Sequence, residues 1–146
     1  MNSSIHRRKA PMLSLLLLFL CASIVVTGNA QDNFKLIKLR CNNADNPVGI
    51  DATTPQFSWE FTTATRNFRQ AAYQVIVSDS PEQLEKMQGN IWNSGKVVSP
   101  QSSGILYKGT PLQSRKKYYW KVKTWSADNK EAVSEQAAHF EMGLLQ

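Results

Sequence analysis

The stretch Lys117-Tyr118-Tyr119-Trp120-Lys121-Val122-Lys123-Thr124-Trp125-Ser126 decides how this chain folds. Side chains of a strand alternate between two faces, and an antiparallel sheet needs only one of them buried. Here Tyr118, Trp120 and Val122 fall on one side, and Tyr119, Lys121 and Lys123 on the other. The first set suits a core and the second a wet surface. The same split recurs upstream in Phe57, Trp59 and Phe61 against Ser58, Glu60 and Thr62, and again in Tyr73, Val75 and Val77 against Gln74 and Ser78, where Ile76 breaks it. Near the end, Ala138, Phe140 and Met142 alternate with His139 and Glu141.

Runs of this kind recur at short intervals between clusters of Pro, Gly, Asn and Ser, which predicts an all-β sandwich or barrel. Seven strands are expected, at roughly 34–41, 56–62, 72–78, 91–94, 104–108, 117–126 and 137–143. Ser126-Ala127-Asp128-Asn129-Lys130 supplies turn formers between the last two. The helical candidate is Ser80 to Met87, with Ser80 placed to cap it, Pro81 at the first helical position and Glu82 and Gln83 in the first turn. At about two turns it reads as a connector and not a core element. Leu112 is followed six residues later by Tyr118, then by Trp120 and Val122, a spacing that resembles the entry to strand F in fibronectin type III modules. Those modules place a tyrosine corner there, its hydroxyl bonded to the chain a few residues upstream. The resemblance gives Tyr118 that role and Trp59 the role of the core tryptophan of strand B. Both polar tips are expected to be hydrogen-bonded, because a buried phenol or indole without a partner is costly. The fold class is therefore an immunoglobulin/fibronectin type III-like β-sandwich of about seven antiparallel strands, with Trp59, Tyr118 and Trp120 as structural residues.

Residues 1–30 have a basic start (His6, Arg7, Arg8, Lys9), an apolar run from Met12 to Val26, and small residues Gly28 and Ala30 at the spacing a signal peptidase reads. Cleavage after Ala30 and export to the periplasm or beyond are expected, with no membrane contact afterwards. The rival reading, an uncleaved anchor, needs about 20 apolar residues, and this run is shorter and interrupted by Ser14 and Ser23. A lipid-attachment site at Cys21 is disfavoured by the bulky Phe19 and Leu20 before it. The leader carries Arg7, Arg8 and Lys9, so its removal lowers the formal charge from +6 to +3. The remaining basic residues are scattered apart from Arg115-Lys116-Lys117 and lack the aromatic platform of a nucleic-acid site, so no nucleic-acid partner is expected. Cys41 is the only cysteine of 31–146, so the core has to hold the fold without an internal disulfide. A single domain of this size buries roughly two thirds of the surface its unfolded chain exposes.

Glycoside hydrolysis of the common type needs two carboxyl groups across the scissile bond, one protonated and one ionised. Most acids here fall in predicted turns or on outward strand positions. Asp51, after Gly49-Ile50, reads as a loop-capping residue. His139 and Cys41 are single and unrelated in spacing, so neither a nucleophile pair nor a closed metal set emerges. No catalytic residue, metal or cofactor is expected. Aromatic side chains are the better lead, since exposed rings stack on the apolar faces of sugars. Trp125 is placed on the same outward face as Tyr119, where with Lys121 and Lys123 it forms an aromatic-basic stripe for a carbohydrate or a neighbouring domain. Trp92, in Ile91-Trp92-Asn93-Ser94-Gly95, is a candidate for the same role at a rim, or for closing the end of the sandwich.

Four segments extend this reading: Asn46-Pro47-Val48-Gly49-Ile50-Asp51, Ile91-Trp92-Asn93-Ser94-Gly95-Lys96-Val97, Leu112 to Val122, and Phe140-Glu141-Met142-Gly143-Leu144-Leu145. In this order, joined by Arg69-Gln70-Ala71-Ala72-Tyr73-Gln74-Val75, they resemble the amino-terminal fibronectin-like domain of bacterial α-L-rhamnosidases of glycoside hydrolase family 78. The likeness runs from about Leu36 to Leu145. It implies a non-catalytic accessory domain lacking the (α/α)6 barrel that carries the family's catalytic glutamates, packing on a catalytic or other β-domain during degradation of rhamnose-containing glycans. A truncated gene product and a free-standing module beside a separate enzyme both fit. Two departures are Asn93, where the family often has Asp, and Ala127-Asp128-Asn129-Lys130, which lacks the usual turn glycine. Alternatives are a carbohydrate-binding or adhesin-like module, or a chain described as α-L-rhamnosidase through its parental enzyme.

Overall fold

The computed structural model describes residues 34–145; the expected leader at 1–30 and its cleavage site lie outside them. In chain order the elements are β1 (Lys35–Cys41), β2 (Val48–Ile50), β3 (Gln56–Thr62), β4 (Gln70–Ser78), α1 (Pro81–Glu85), β5 (Trp92–Asn93), β6 (Val97–Val98), β7 (Ile105–Leu106), β8 (Lys117–Ser126), β9 (Glu131–Val133) and β10 (Ala138–Met142). Two sheets form, one ordered β1-β3-β7 and the other β2-β10-β8-β4-β5, with β6 added to β4 and β9 to β8. The expected sandwich is present. The strand count is corrected from seven to ten, because β2, β6 and β9 are two- or three-residue pieces too short to show an alternation. The all-antiparallel expectation is corrected too: β2 runs parallel to β10, held by the Glu141 N–H to Pro47 O at 2.9 Å and the Gly143 N–H to Ile50 O at 2.7 Å.

The period-two residues meet between the sheets. Phe57, Val75, Val77, Trp120, Val122 and Phe140 are 0% exposed. Phe57 is the hub, with ring centroids 4.5 Å from Trp120, 5.8 Å from Phe140 and 6.1 Å from Trp92. Phe61 is half-buried and joins Phe34 and Phe68 in a second aromatic cluster at the edge. Cys41 sits in the core, where burial pushes its thiol up to about 12, so it stays protonated and inert at ordinary pH.

Tyr118 forms the corner: the Gln113 N–H donates to its hydroxyl at 2.9 Å, five residues upstream. Tyr118→Phe leaves that N–H without its acceptor and is expected to lower the unfolding free energy by about 1 kcal/mol, read from urea denaturation with the slope unchanged. The Trp59 indole N–H donates to Gln70 Oε1 at 3.0 Å, as expected of a buried indole. Trp120 differs, its Nε1 buried with no partner among the described residues. Fully buried ring area outweighs one unpaired donor here.

Ile76, the residue that broke the alternation, faces outward and is 0% exposed. The reason is α1, which contacts both β4 and β8 and brings the fully buried Leu84 onto that outer face. The expected connector therefore covers part of the sheet. It also encloses Lys121, read as a wet-face residue, which is 5% exposed and donates to Glu85 at 2.8 Å. Ser80 precedes α1 but makes no capping bond to a helix N–H; its hydroxyl donates to Glu82 instead. At the β8–β9 turn, Asn129 adopts the left-handed φ of 65°, standing where a glycine would be usual.

Candidate binding groove

The sheets leave an open side where β5 and β6, at the edge of one, approach β7, at the edge of the other. A groove of about 500 Å³ lies there, lined by apolar Trp92, Val97, Ile105 and Leu106, with Tyr73, Asn93, Gln101 and Lys108 among its polar members. Trp92 pairs with Val77 across β5 and β4 and turns inward. It stacks on Phe57 and meets Tyr107 edge-on at 5.3 Å, so it closes the sandwich and forms a groove wall at once. Gly109 permits this closeness, since a Cβ there would collide with both Trp92 and Tyr107. The Tyr107 hydroxyl donates to Thr110 O, fixing the ring.

The opposite wall, residues 99–104, has no strand to hold it and is held from inside. Gln70, 6% exposed, accepts from Trp59 and donates through Nε2 to Ser99 O at 3.1 Å and Gln101 O at 2.6 Å. The Trp59 N–H adds a bond to Ser102 O at 2.9 Å. Gln70 was missed in the sequence; a glutamine ahead of an apolar strand signals nothing until its partners are known. Asn93 orders the β5–β6 turn, its Oδ1 accepting from Gln74 Nε2 at 2.8 Å and from the Gly95 N–H at 3.0 Å.

The aromatic-basic stripe is arranged differently from expectation. Trp125 does lie on the outward face, yet it is only 7% exposed. Lys96 and Lys123 place their ammonium groups 4.4 and 4.9 Å from its ring centroid, and its indole N–H donates to Glu131. The exposed-ring expectation is thus corrected: the chain's own lysines cover the platform through cation–π contact. A hydrogen bond from Lys123, then one from Trp125, holds the Glu131 carboxyl below its ordinary range. Tyr119 is half-buried and tilts against His139 at 6.2 Å, while Lys121 lies under α1. The stripe is divided and does not form one surface.

Most carboxylates of the described residues are tied to cations, among them Glu60 to Lys38 and Arg40, Asp45 to Arg40, Asp79 to Lys116, and Glu135 to Lys35. A hydrogen bond from Lys116 lowers Asp79, and one from Lys35 lowers Glu135. A general acid requires the reverse shift. Asp51 is exposed after β2. A second, smaller groove beside β1, about 360 Å³, includes Asp45 and Glu135, both engaged in those pairs, and no aromatic ring. Cys41 in β1 and His139 in β10 belong to different sheets. Among the described residues no group of His, Cys, Asp and Glu is placed to hold a metal, and no helix is long and apolar enough to cross a membrane.

Residues 36–146 match the family described as Rha78A-like, N-terminal immunoglobulin domain. The chain belongs to this family. An α-L-rhamnosidase of Formosa agariphila is 34% identical to this chain over 131 residues, which are 90% of this chain and 14% of that enzyme. The solved α-L-rhamnosidase from Dictyoglumus thermophilum superposes with a TM-score of 0.73 at 38% identity, covering 77% of this chain and 12% of its own. That of Streptomyces avermitilis, solved in complex with L-rhamnose, gives 0.73 at 35% identity over 77% and 11%. The Rha78A-like domain thus spans roughly an eighth of the length of these relatives. The matches fall on their immunoglobulin domain and not on the catalytic one, so this chain alone is non-catalytic.

Proposed function

We propose that this domain serves as an exported accessory module of an α-L-rhamnosidase-type glycoside hydrolase, acting in the degradation of rhamnose-containing glycans. The observation that carries the reading is the match over residues 36–146 to a domain type whose similar proteins are α-L-rhamnosidases. The absence of any carboxylate from the aromatic-walled groove supports a supporting role over a hydrolytic one. Contact with a catalytic or other β-domain is part of the proposal, with Tyr119 the best-exposed ring of the divided stripe.

The test is association with an α-L-rhamnosidase from which the homologous amino-terminal domain has been deleted. The immobilised chain is expected to retain that enzyme and raise its melting temperature. The chain alone is expected to release no phenol from an aryl α-L-rhamnoside. Rhamnoside cleavage by the chain alone, or no retention of the truncated enzyme, overturns the proposal.

A further inference from the structure

We propose that the groove between β5–β6 and β7 is a saccharide-binding subsite that accepts one 6-deoxyhexose residue, its methyl group against Val97, Ile105 and Leu106. The choice of sugar rests on the function proposed above; the existence of a site rests on the groove itself. At about 500 Å³ its volume falls in the range of small-molecule sites, roughly 300–1,000 Å³. It is open along its length, which suits one unit of a longer glycan.

Three features mark it as built. Tyr73 lines the groove at 8% exposure, and its hydroxyl has no hydrogen-bond partner among the described residues. Burial alone pushes that phenol up from its ordinary value. That hydroxyl is not sealed among the buried unpartnered atoms, so water reaches it through the groove and a ligand hydroxyl can take the water's place. The two rim amides are oriented by their other halves. Asn93 Oδ1 is held by Gln74 and Gly95, which leaves Nδ2 as an open donor; Gln101 Nε2 is spent on Ser103 O at 2.8 Å, which leaves Oε1 as an open acceptor. Donor, acceptor and phenol together match the mixed hydroxyl pattern of a pyranose. Leu106, third, is 46% exposed in a position the core does not use.

The apolar members decide the class. Val97, Ile105 and Leu106 cannot hydrogen-bond, so a 6-hydroxyl pressed on them loses its water without replacement, whereas a 6-methyl loses nothing. With no carboxylate lining the groove, the sugar is held and not cut.

The experiment is titration of the ¹⁵N-labelled chain with methyl α-L-rhamnoside and, separately, methyl α-L-mannoside, its 6-hydroxy counterpart. Expected are saturable shifts at the Trp92 indole and the amides of Asn93, Gly104 and Leu106, with the mannoside bound at least about fivefold more weakly. Tyr73→Phe is expected to weaken rhamnoside binding by about fivefold. Gln101→Ala, at an exposed position, is expected to weaken binding with the melting temperature unchanged, which separates recognition from folding. No saturable shift, shifts centred on Trp125 instead, or wild-type binding in both variants overturns the subsite. Equal affinity for the two sugars overturns the deoxyhexose assignment. Failure here leaves the enzyme-retention result standing, and failure of retention leaves a sugar site without its proposed enzyme, so the two readings fall separately.

Discussion

Phe57→Ala is expected to lower the unfolding free energy by about 3–5 kcal/mol, the range for deleting a fully buried aromatic ring. Domains of this kind have about 5–15 kcal/mol to lose, so the variant sits near the edge of folding. The large effect follows from position: the ring is 0% exposed and reaches across from β3 to lie against Trp92, Trp120 and Phe140 at once, so three strands of the facing sheet would border the cavity. Phe57→Leu keeps most of the volume and is expected to lose less than half as much. The check is the urea midpoint of each variant at constant slope. A loss below about 1 kcal/mol for the alanine variant would mean that the two sheets do not meet through this ring.

Gln70→Ala is expected to cost about 2–3 kcal/mol, because it removes three hydrogen bonds and leaves the Trp59 indole N–H buried and unpaired. Its second consequence is local. Residues 99–104 lose the clamp on Ser99 O and Gln101 O, so their amides are expected to exchange with solvent faster than those of β4 and β8 in the same variant. Uniform acceleration across the domain would show that Gln70 acts only on global stability.

The long strands were legible because their sequence carries a complete physical signal. Gln56–Thr62 and Lys117–Ser126 run with the expected boundaries, since seven to ten alternating residues outweigh local propensity. The Tyr118 corner was legible through a fixed spacing to Leu112. What escaped was the product of partners distant in sequence. Ile76 looked like an error in the alternation until α1 arrived to cover it, and Lys121 looked wet for the same reason. The two- and three-residue strands have no periodicity to read. For the groove, Trp92 was visible as a ring, but Tyr73, Gln101 and Leu106 share a surface only because β5 and β6, which flank β4, form an edge that meets the β7 edge of the other sheet. The position of Trp125 was read correctly and its accessibility was not, because Lys96 comes from a separate loop.

The parallel pairing of β2 with β10 has a mechanical consequence. Force that draws the amino-terminal end of β2 and the carboxy-terminal end of β10 apart acts along both strands. Parallel neighbours pulled this way slide lengthwise, loading the Glu141–Pro47 and Gly143–Ile50 bonds together instead of unzipping them in turn.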